Sequence, residues 1–130
     1  MWRTLDYKNQ CDLWNDISIF LTDERNELFE RLLEHRTRHI VIGVEDVSHE
    51  HNSGALIRSA ECFGIQDVHV MEDENKFKVQ SGMAMGSENW VSIKSHKGAA
   101  GISSCIDDLK DKGYTIVAAT PHEKDVILDD

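Results

Sequence analysis

Proline is nearly absent: Pro121 is the only one in 130 residues. That excludes polyproline, collagen-like and proline-rich linker architectures. Cysteine is scarce too. Cys11, Cys62 and Cys105 are odd in number and far apart, which excludes a disulfide framework and fits reduced thiols. No apolar run approaches the roughly eighteen residues of a membrane-spanning helix. The opening "MWRTLDYKNQ" lacks the apolar run of a secretory signal, so a cytoplasmic protein with no membrane partner is expected. Positive charge is in deficit: 14 Lys and Arg stand against 24 Asp and Glu, a net charge of −10. That excludes a generic basic nucleic-acid coat. Any contact with RNA must rest on a local site, a partner or further sequence.

What is present is a globular composition, 40% hydrophobic and 29% charged, with no internal repeat, linker or low-complexity tract. Residues 1–21 are mixed, although Leu13, Ile17 and Leu21 recur every four residues, as one face of a helix would. "TDERNELFERLLEHRTR" reads as a helix with Thr22 as cap, Asp23 and Glu24 in its first turn, and Arg36 and Arg38 at its end. "HIVIGV", 39–44, reads as a buried strand. The loop "EDVSHEH" follows, then a helix over 52–63 and a strand over 67–71. An irregular segment with two glycines leads to a strand over 90–94. A helix closed by Gly113 and a fourth strand over 114–120, ended by Pro121, complete the pattern. Strands alternating with helices predict an α/β fold, a parallel sheet with flanking helices. The division is a helical extension over 1–38 and an α/β domain over 39–130.

Ligands of such sheets gather beyond the C-terminal strand ends, which places "EDVSHEHNSGA" at the site. On a helical wheel Leu56, Ala60 and Phe63 share one face, expected to pack on the sheet, and Arg58 lies roughly opposite. One reading makes Arg58 a solvated partner of Glu61. The other uses the helix start: Asn52 as cap, Gly54 for close ligand approach, free amides and a forked guanidinium together forming a phosphate or oxyanion site.

"VEDVSHEHNSGALIRSAECFGIQDVHVME" resembles the first motif of the SpoU (TrmH) class of RNA 2′-O-ribose methyltransferases. The matching residues are Asn52, Gly54, Ala55, Arg58, Phe63 and Gly64. "MGSENWV" and "GYTIVAATPHEKD" resemble the family's next landmarks, and the preceding helix is similar to that of its tRNA-modifying members. The resemblance implies S-adenosylmethionine as cofactor, RNA (most readily tRNA) as substrate, and a homodimer with its active site across the interface. It gives Arg58 the central catalytic role. Asn52 would orient Arg58 or bond the ribose, and His51, Ser53 and Gly54 would contact the RNA phosphate and ribose. A free guanidinium loses its proton only above about pH 12, so stabilising a developing alkoxide suits Arg58 better than acting as a base. The family's later Gly-x-Glu-x-x-Gly and "SLNVS" motifs, which form the α/β-knot that holds the cofactor, are absent. The expectation is therefore the first part of an α/β-knot fold with no cofactor-binding residues of its own. The alternative is a non-catalytic α/β module that binds RNA or a partner; an unrelated anion-binding flavodoxin-like domain is a third reading.

Other candidates carry blander readings. "HEH" at 49–51 has metal-like spacing but no third ligand, so no metal is expected there. Glu45 and Asp46 begin a solvated loop. Cys62 and Cys105 sit on helices without an activating base and read as buried thiols. Arg31, His35, Arg36 and Arg38 form a basic cluster that suits either tRNA phosphate or a solvated helix end.

Overall fold

Three short runs rich in β-branched residues build the sheet. The computed structural model describes residues 6–119. β1 (Ile42–Glu45), β2 (Asp67–Glu72) and β3 (Ser92–Lys97) lie in the order β1-β2-β3. All pairs are parallel, with Val44 opposite Val70 and Val68 opposite Ile93. Side chains alternate across a strand. One face therefore carries Ile42, Val44, Val68 and Val70, and α3 (Glu50–Cys62) covers it with Ile57 and Ala60. Val91 completes this core. Fully burying such side chains stabilises the fold by about 1.5–3 kcal/mol each. The opposite face carries Asp67, His69, Met71, Lys94 and His96, and α5 (Gly98–Asp111) covers it with Cys105 and Leu109. The result is the three-layer α/β arrangement expected from the sequence.

The helical face departs from the wheel at two residues: Ile57, which the wheel left off that face, is fully buried, and Phe63, which it placed there, is not. Ser53, Gly54, Ile57 and Ala60 are the buried positions of α3, whereas Phe63 is 80% exposed. The helix ends at Cys62, and Phe63 has already turned out as its C-cap. Gly64 follows with φ +71°, a left-handed turn that brings the Ile65 amide onto the Ala60 carbonyl. A Cβ at Gly64 would lie 2.1 Å from the His35 carbonyl oxygen. Only glycine lets the two chain segments cross there.

Strand positions shift as well. The 39–44 strand becomes Ile42–Glu45, because Thr37 pairs with Ile65 in a single parallel bridge and the chain bends over 38–40 before reaching the sheet. The 90–94 strand becomes Ser92–Lys97. A 3₁₀ turn, Ser87–Asn89, consumes the preceding residues and buries Val91 under the core. The segment read as irregular also holds a single helical turn, α4 (Ser81–Ala84). The fourth strand does not form among the described residues: 114–119 carry no strand pairing. Instead the Tyr114 hydroxyl donates to the Arg38 carbonyl. Pro121 and the acidic tail lie outside the described residues. Gly113, at φ +88°, closes α5 as expected.

Two further helices precede the sheet. α1 (Tyr7–Ser18) starts on Asp6, whose Oδ1 accepts the Asn9 amide at 2.9 Å. α2 (Asp23–Glu34) starts on Thr22, whose Oγ1 accepts the Arg25 amide at 3.3 Å. Neither helix has a fully buried residue. They dock through an aromatic ladder, with Trp14 on Phe29 at 5.9 Å and Phe29 on Trp90 at 5.8 Å.

Candidate functional site

The loop after β1 sets the site. Asp46 takes a left-handed backbone, φ +44°, which Asp and Asn adopt more readily than other side chains. Its Oδ1 accepts the amides of Asp73, Glu74 and Asn75 at 3.2, 3.0 and 2.7 Å, and its Oδ2 accepts the Asn75 side-chain amide at 2.8 Å. These bonds, those of Asn75 foremost, hold the Asp46 carboxyl below the usual carboxylate range. Asp46 is thus no solvated loop residue. It ties the loop after β1 to the loop after β2, and no local signal in the sequence set it apart from Glu45.

α3 begins earlier than expected, at Glu50, with His49 in the cap position. Asn52 is therefore not the cap, and the Asn52 and Ser53 amides both donate to the His49 carbonyl. Ser53 is 1% exposed. Its hydroxyl lies between the Glu50 carbonyl, at 2.8 Å, and the Lys78 carbonyl, and donates to one at a time. Gly54 also admits a close neighbour, but the neighbour is this chain. A Cβ there would meet Met83 Cβ at 2.7 Å and the Gln80 carbonyl at 3.0 Å. In this conformation Ser53 and Gly54 hold α4 against α3 and are shut off from a ligand.

Arg58 faces outwards. His51, Ala55, Arg58 and Cys62 recur at helical spacing along one exposed stripe of α3. Arg58 Nη1 lies 3.0 Å from Met85 Sδ, a weak acceptor. Met85 reaches it through two successive left-handed residues, Met85 at φ +53° and Gly86 at φ +89°. Glu61 does not pair with Arg58; it is held by Arg36 at 3.1 Å. Among the described residues no carboxylate pairs with Arg58. Asn52 is exposed but sits roughly 120° round the helix from Arg58 and about 9 Å along it. Within one chain it does not orient the guanidinium. His51 shares the stripe of Arg58 and Asn52 does not.

The remaining candidates resolve differently. Arg36 pairs with Glu61, and Arg38 pairs with Asp67 at 3.1 Å, as does Lys94. Half of the proposed basic cluster is therefore spent on internal ion pairs. Glu50 of "HEH" contacts Lys78 at 3.4 Å, and its two histidines join no metal-like grouping among the described residues. Cys62 is exposed, against expectation, because it ends α3 on the solvent stripe. Cys105 is buried as expected, but it is not without a neighbouring base, since His69 Nδ1 lies 3.2 Å from its Sγ.

A groove of about 820 Å³ runs between the outer edge of β1, α5 and residues 113–118, lined by Val41, Gly43, Glu45, Leu109 and Val117 among others. It is a slot beside a strand edge that is unpaired among the described residues, and Arg38, His39, Glu45, Lys112 and Tyr114 line it together with the aliphatic side chains.

The SpoU rRNA Methylase family model matches residues 39–129. The chain is 35% identical over 113 residues to a tRNA (guanosine(18)-2′-O)-methyltransferase of Borreliella burgdorferi, covering 87% of this chain and 50% of that protein. It is 30% identical over 87 residues to the enzyme of the same name from Escherichia coli, covering 67% of this chain and 37% of that one. The crystal structure of the A. aeolicus TrmH/SpoU tRNA modifying enzyme superposes with a TM-score of 0.61 at 24% identity, over 70% of this chain and 45% of that one. The chain thus spans half or less of the length of these relatives. No helix among the described residues is long and apolar enough to cross a membrane.

Proposed function

The chain belongs to the SpoU rRNA methylase family, and from that premise we propose that it carries the RNA-facing arginine of a ribose 2′-O-methyltransferase acting on a tRNA guanosine. S-adenosylmethionine is the methyl donor in this reading, held by elements that the described residues do not supply. The working form is a cytoplasmic homodimer, with residues 1–38 as a helical extension to the domain over 39–130.

One observation carries the reading. Arg58 stands on the exposed stripe of α3 with no carboxylate partner among the described residues, while its obvious surface partner, Glu61, is bound to Arg36. A guanidinium that no described carboxylate holds, in a chain of net charge −10, is available to an anion. Its fork suits a phosphate oxygen pair or a developing 2′-alkoxide. His51 on the same stripe is placed to meet the same backbone, and Asn52 reaches substrate or a second protomer rather than Arg58 of its own chain. Ser53 and Gly54 contribute by fixing α3 against α4; RNA contact through them requires α4 to move.

The test is single-turnover transfer of labelled methyl to tRNA. It uses a chimera in which residues 1–119 of this chain replace the matching part of the Borreliella burgdorferi relative. Arg58→Ala is expected to slow transfer about a hundredfold or more, the scale of losing one transition-state donor. It should leave stability within about 0.5 kcal/mol, as for other surface changes. Arg58→Lys is expected to rescue little, because an ammonium cannot reproduce the planar fork. Near-normal transfer by the alanine variant overturns the catalytic reading. An active chimera whose tRNA affinity, but not its rate, depends on Arg58 supports the binding-module alternative.

A further inference from the structure

The face of the sheet under α5 holds a cluster that the methyltransfer reading does not use. His69 on β2 and His96 on β3 point to the same face, because both strands alternate in register with His69 opposite Lys94. Their rings stack within 6° of parallel at 5.2 Å, and His69 Nδ1 lies 3.1 Å from His96 Nε2. α5 brings Cys105, 1% exposed, down onto them, with its Sγ 3.2 Å from the same His69 Nδ1. All three ligand atoms lie within 4.8 Å of one another.

Ordinary hydrogen bonding serves this cluster poorly. A bare imidazole nitrogen has one in-plane lone pair, yet Nδ1 of His69 faces two neighbours at bonding distance, and a thiol is a weak donor. A cation among the three atoms satisfies all of them at once. With metal–nitrogen bonds of about 2.05 Å and metal–sulfur bonds of about 2.3 Å, the edges of a tetrahedral site are roughly 3.3 Å for N–N and 3.6 Å for N–S. Two edges here, at 3.1 and 3.2 Å, are within a few tenths of those values. The third, within 4.8 Å, closes by about 1.2 Å at most, within reach of a Cys105 side-chain rotation.

We propose that His69, His96 and Cys105 form a binding site for a zinc-class divalent cation, clipping α5 to β2 and β3 and leaving a fourth position for water. Two imidazoles and a thiolate select zinc or cobalt over the oxygen-seeking magnesium and calcium. Burial foremost, together with the charge of Lys94, lowers the His69 pKa, the direction that favours the neutral ring ligation needs. Burial also holds Cys105 as a thiol. Metal entry therefore forms a metal–sulfur bond, breaks the S–H bond and releases one proton to solvent. The charged neighbours are Lys94, Asp67, Asp108 and Lys112, and Asp67 holds Lys94 at 3.1 Å.

Titration of the untagged, chelator-treated chain with cobalt tests the site. The expected result is one cobalt per chain, with a thiolate-to-cobalt charge-transfer band and tetrahedral visible bands that zinc abolishes and magnesium does not. Cys105→Ser should lose the charge-transfer band, whereas the double variant Cys11→Ser/Cys62→Ser should keep it. His96→Gln, at a half-buried edge-strand position, should weaken binding about tenfold or more, no less than the usual loss of an outer-shell partner. It carries the test if Cys105→Ser fails to fold by circular dichroism. A wild-type chain with no tetrahedral cobalt spectrum overturns the proposal. So does an unchanged spectrum in a folded Cys105→Ser or His96→Gln variant.

Discussion

At the scale of single residues, the exposed side chains of the site were easier to read than the buried ones. That Arg58 lies off the core face followed from counting turns, and a helical wheel needs only the sequence. The role of Asp46 did not follow, because its partners lie on a loop that folding brings back from beyond β2. His69 and Cys105 escaped for the same reason: they meet only once β2 and α5 have docked. Asp46 supports a direct test. Its carboxyl is lowered in the folded chain by the hydrogen bonds of Asn75, Asp73 and Glu74. In the acid range the unfolded chain therefore binds more protons than the folded one, and stability falls as pH falls. The contribution is complete above the ordinary carboxylate range and is lost as pH drops through the depressed folded value. Glu72 acts with the same sign, through Ser95 and the Phe77 amide. Asp46→Asn is thus expected to lower the melting temperature at neutral pH and to flatten, without abolishing, the acid limb of a stability–pH profile. An acid limb identical to wild type would show that the clamp contributes nothing.

At the scale of elements, their existence and order were legible while their ends were not. Apolar runs and caps announce a strand or a helix. What trims it is a partner: Ile65 takes Thr37 out of the helix expected to run through Arg38, and the 3₁₀ turn delays β3 to Ser92. The phase of α3 failed for a related reason. Phe63 is as apolar as any core residue, but it lies one position past the helix, where the axis no longer dictates its direction. α1 and α2 show how loosely an element can be attached, since neither buries a residue completely and the aromatic ladder from Trp14 through Phe29 to Trp90 is their evident tie. Local opening follows low burial. Phe29→Ala removes the middle rung, a pair of contacts worth about 0.5–1.5 kcal/mol each beyond the area they bury. Hydrogen exchange in α1 and α2 should rise sharply in that variant while the amides of β2 keep their protection. Uniform acceleration across the chain would instead make the helices part of one cooperative unit with the sheet.

At the scale of the whole molecule, the parallel sheet was legible because strand–helix alternation leaves few other topologies. The missing fourth strand was not, because "YTIVAAT" has every local mark of one. Pairing requires more than local preference, and residues 114–118 lie across a groove from β1 rather than hydrogen-bonded to it. The outer edge of β1 is consequently unpaired among the described residues. Ile116 at 44% and Val117 at 84% exposure lie beside it. An unpaired parallel edge next to exposed aliphatic side chains is a template for another strand. Surface charge opposes this, since a net charge of −10 repels a second copy at low ionic strength. The two effects separate by salt. With charge screened to a Debye length of about 8 Å near physiological ionic strength, the short-range edge contact should prevail. Sedimentation of the chain is therefore expected to show concentration-dependent association that strengthens from low to physiological salt. Val117→Lys, which places a charge beside the edge, is expected to weaken it, as lysines do on natural edge strands. A monomer at all salts and concentrations, with a sharp, high melting transition, would mean that residues 113–118 already shield the edge and that no second strand is sought.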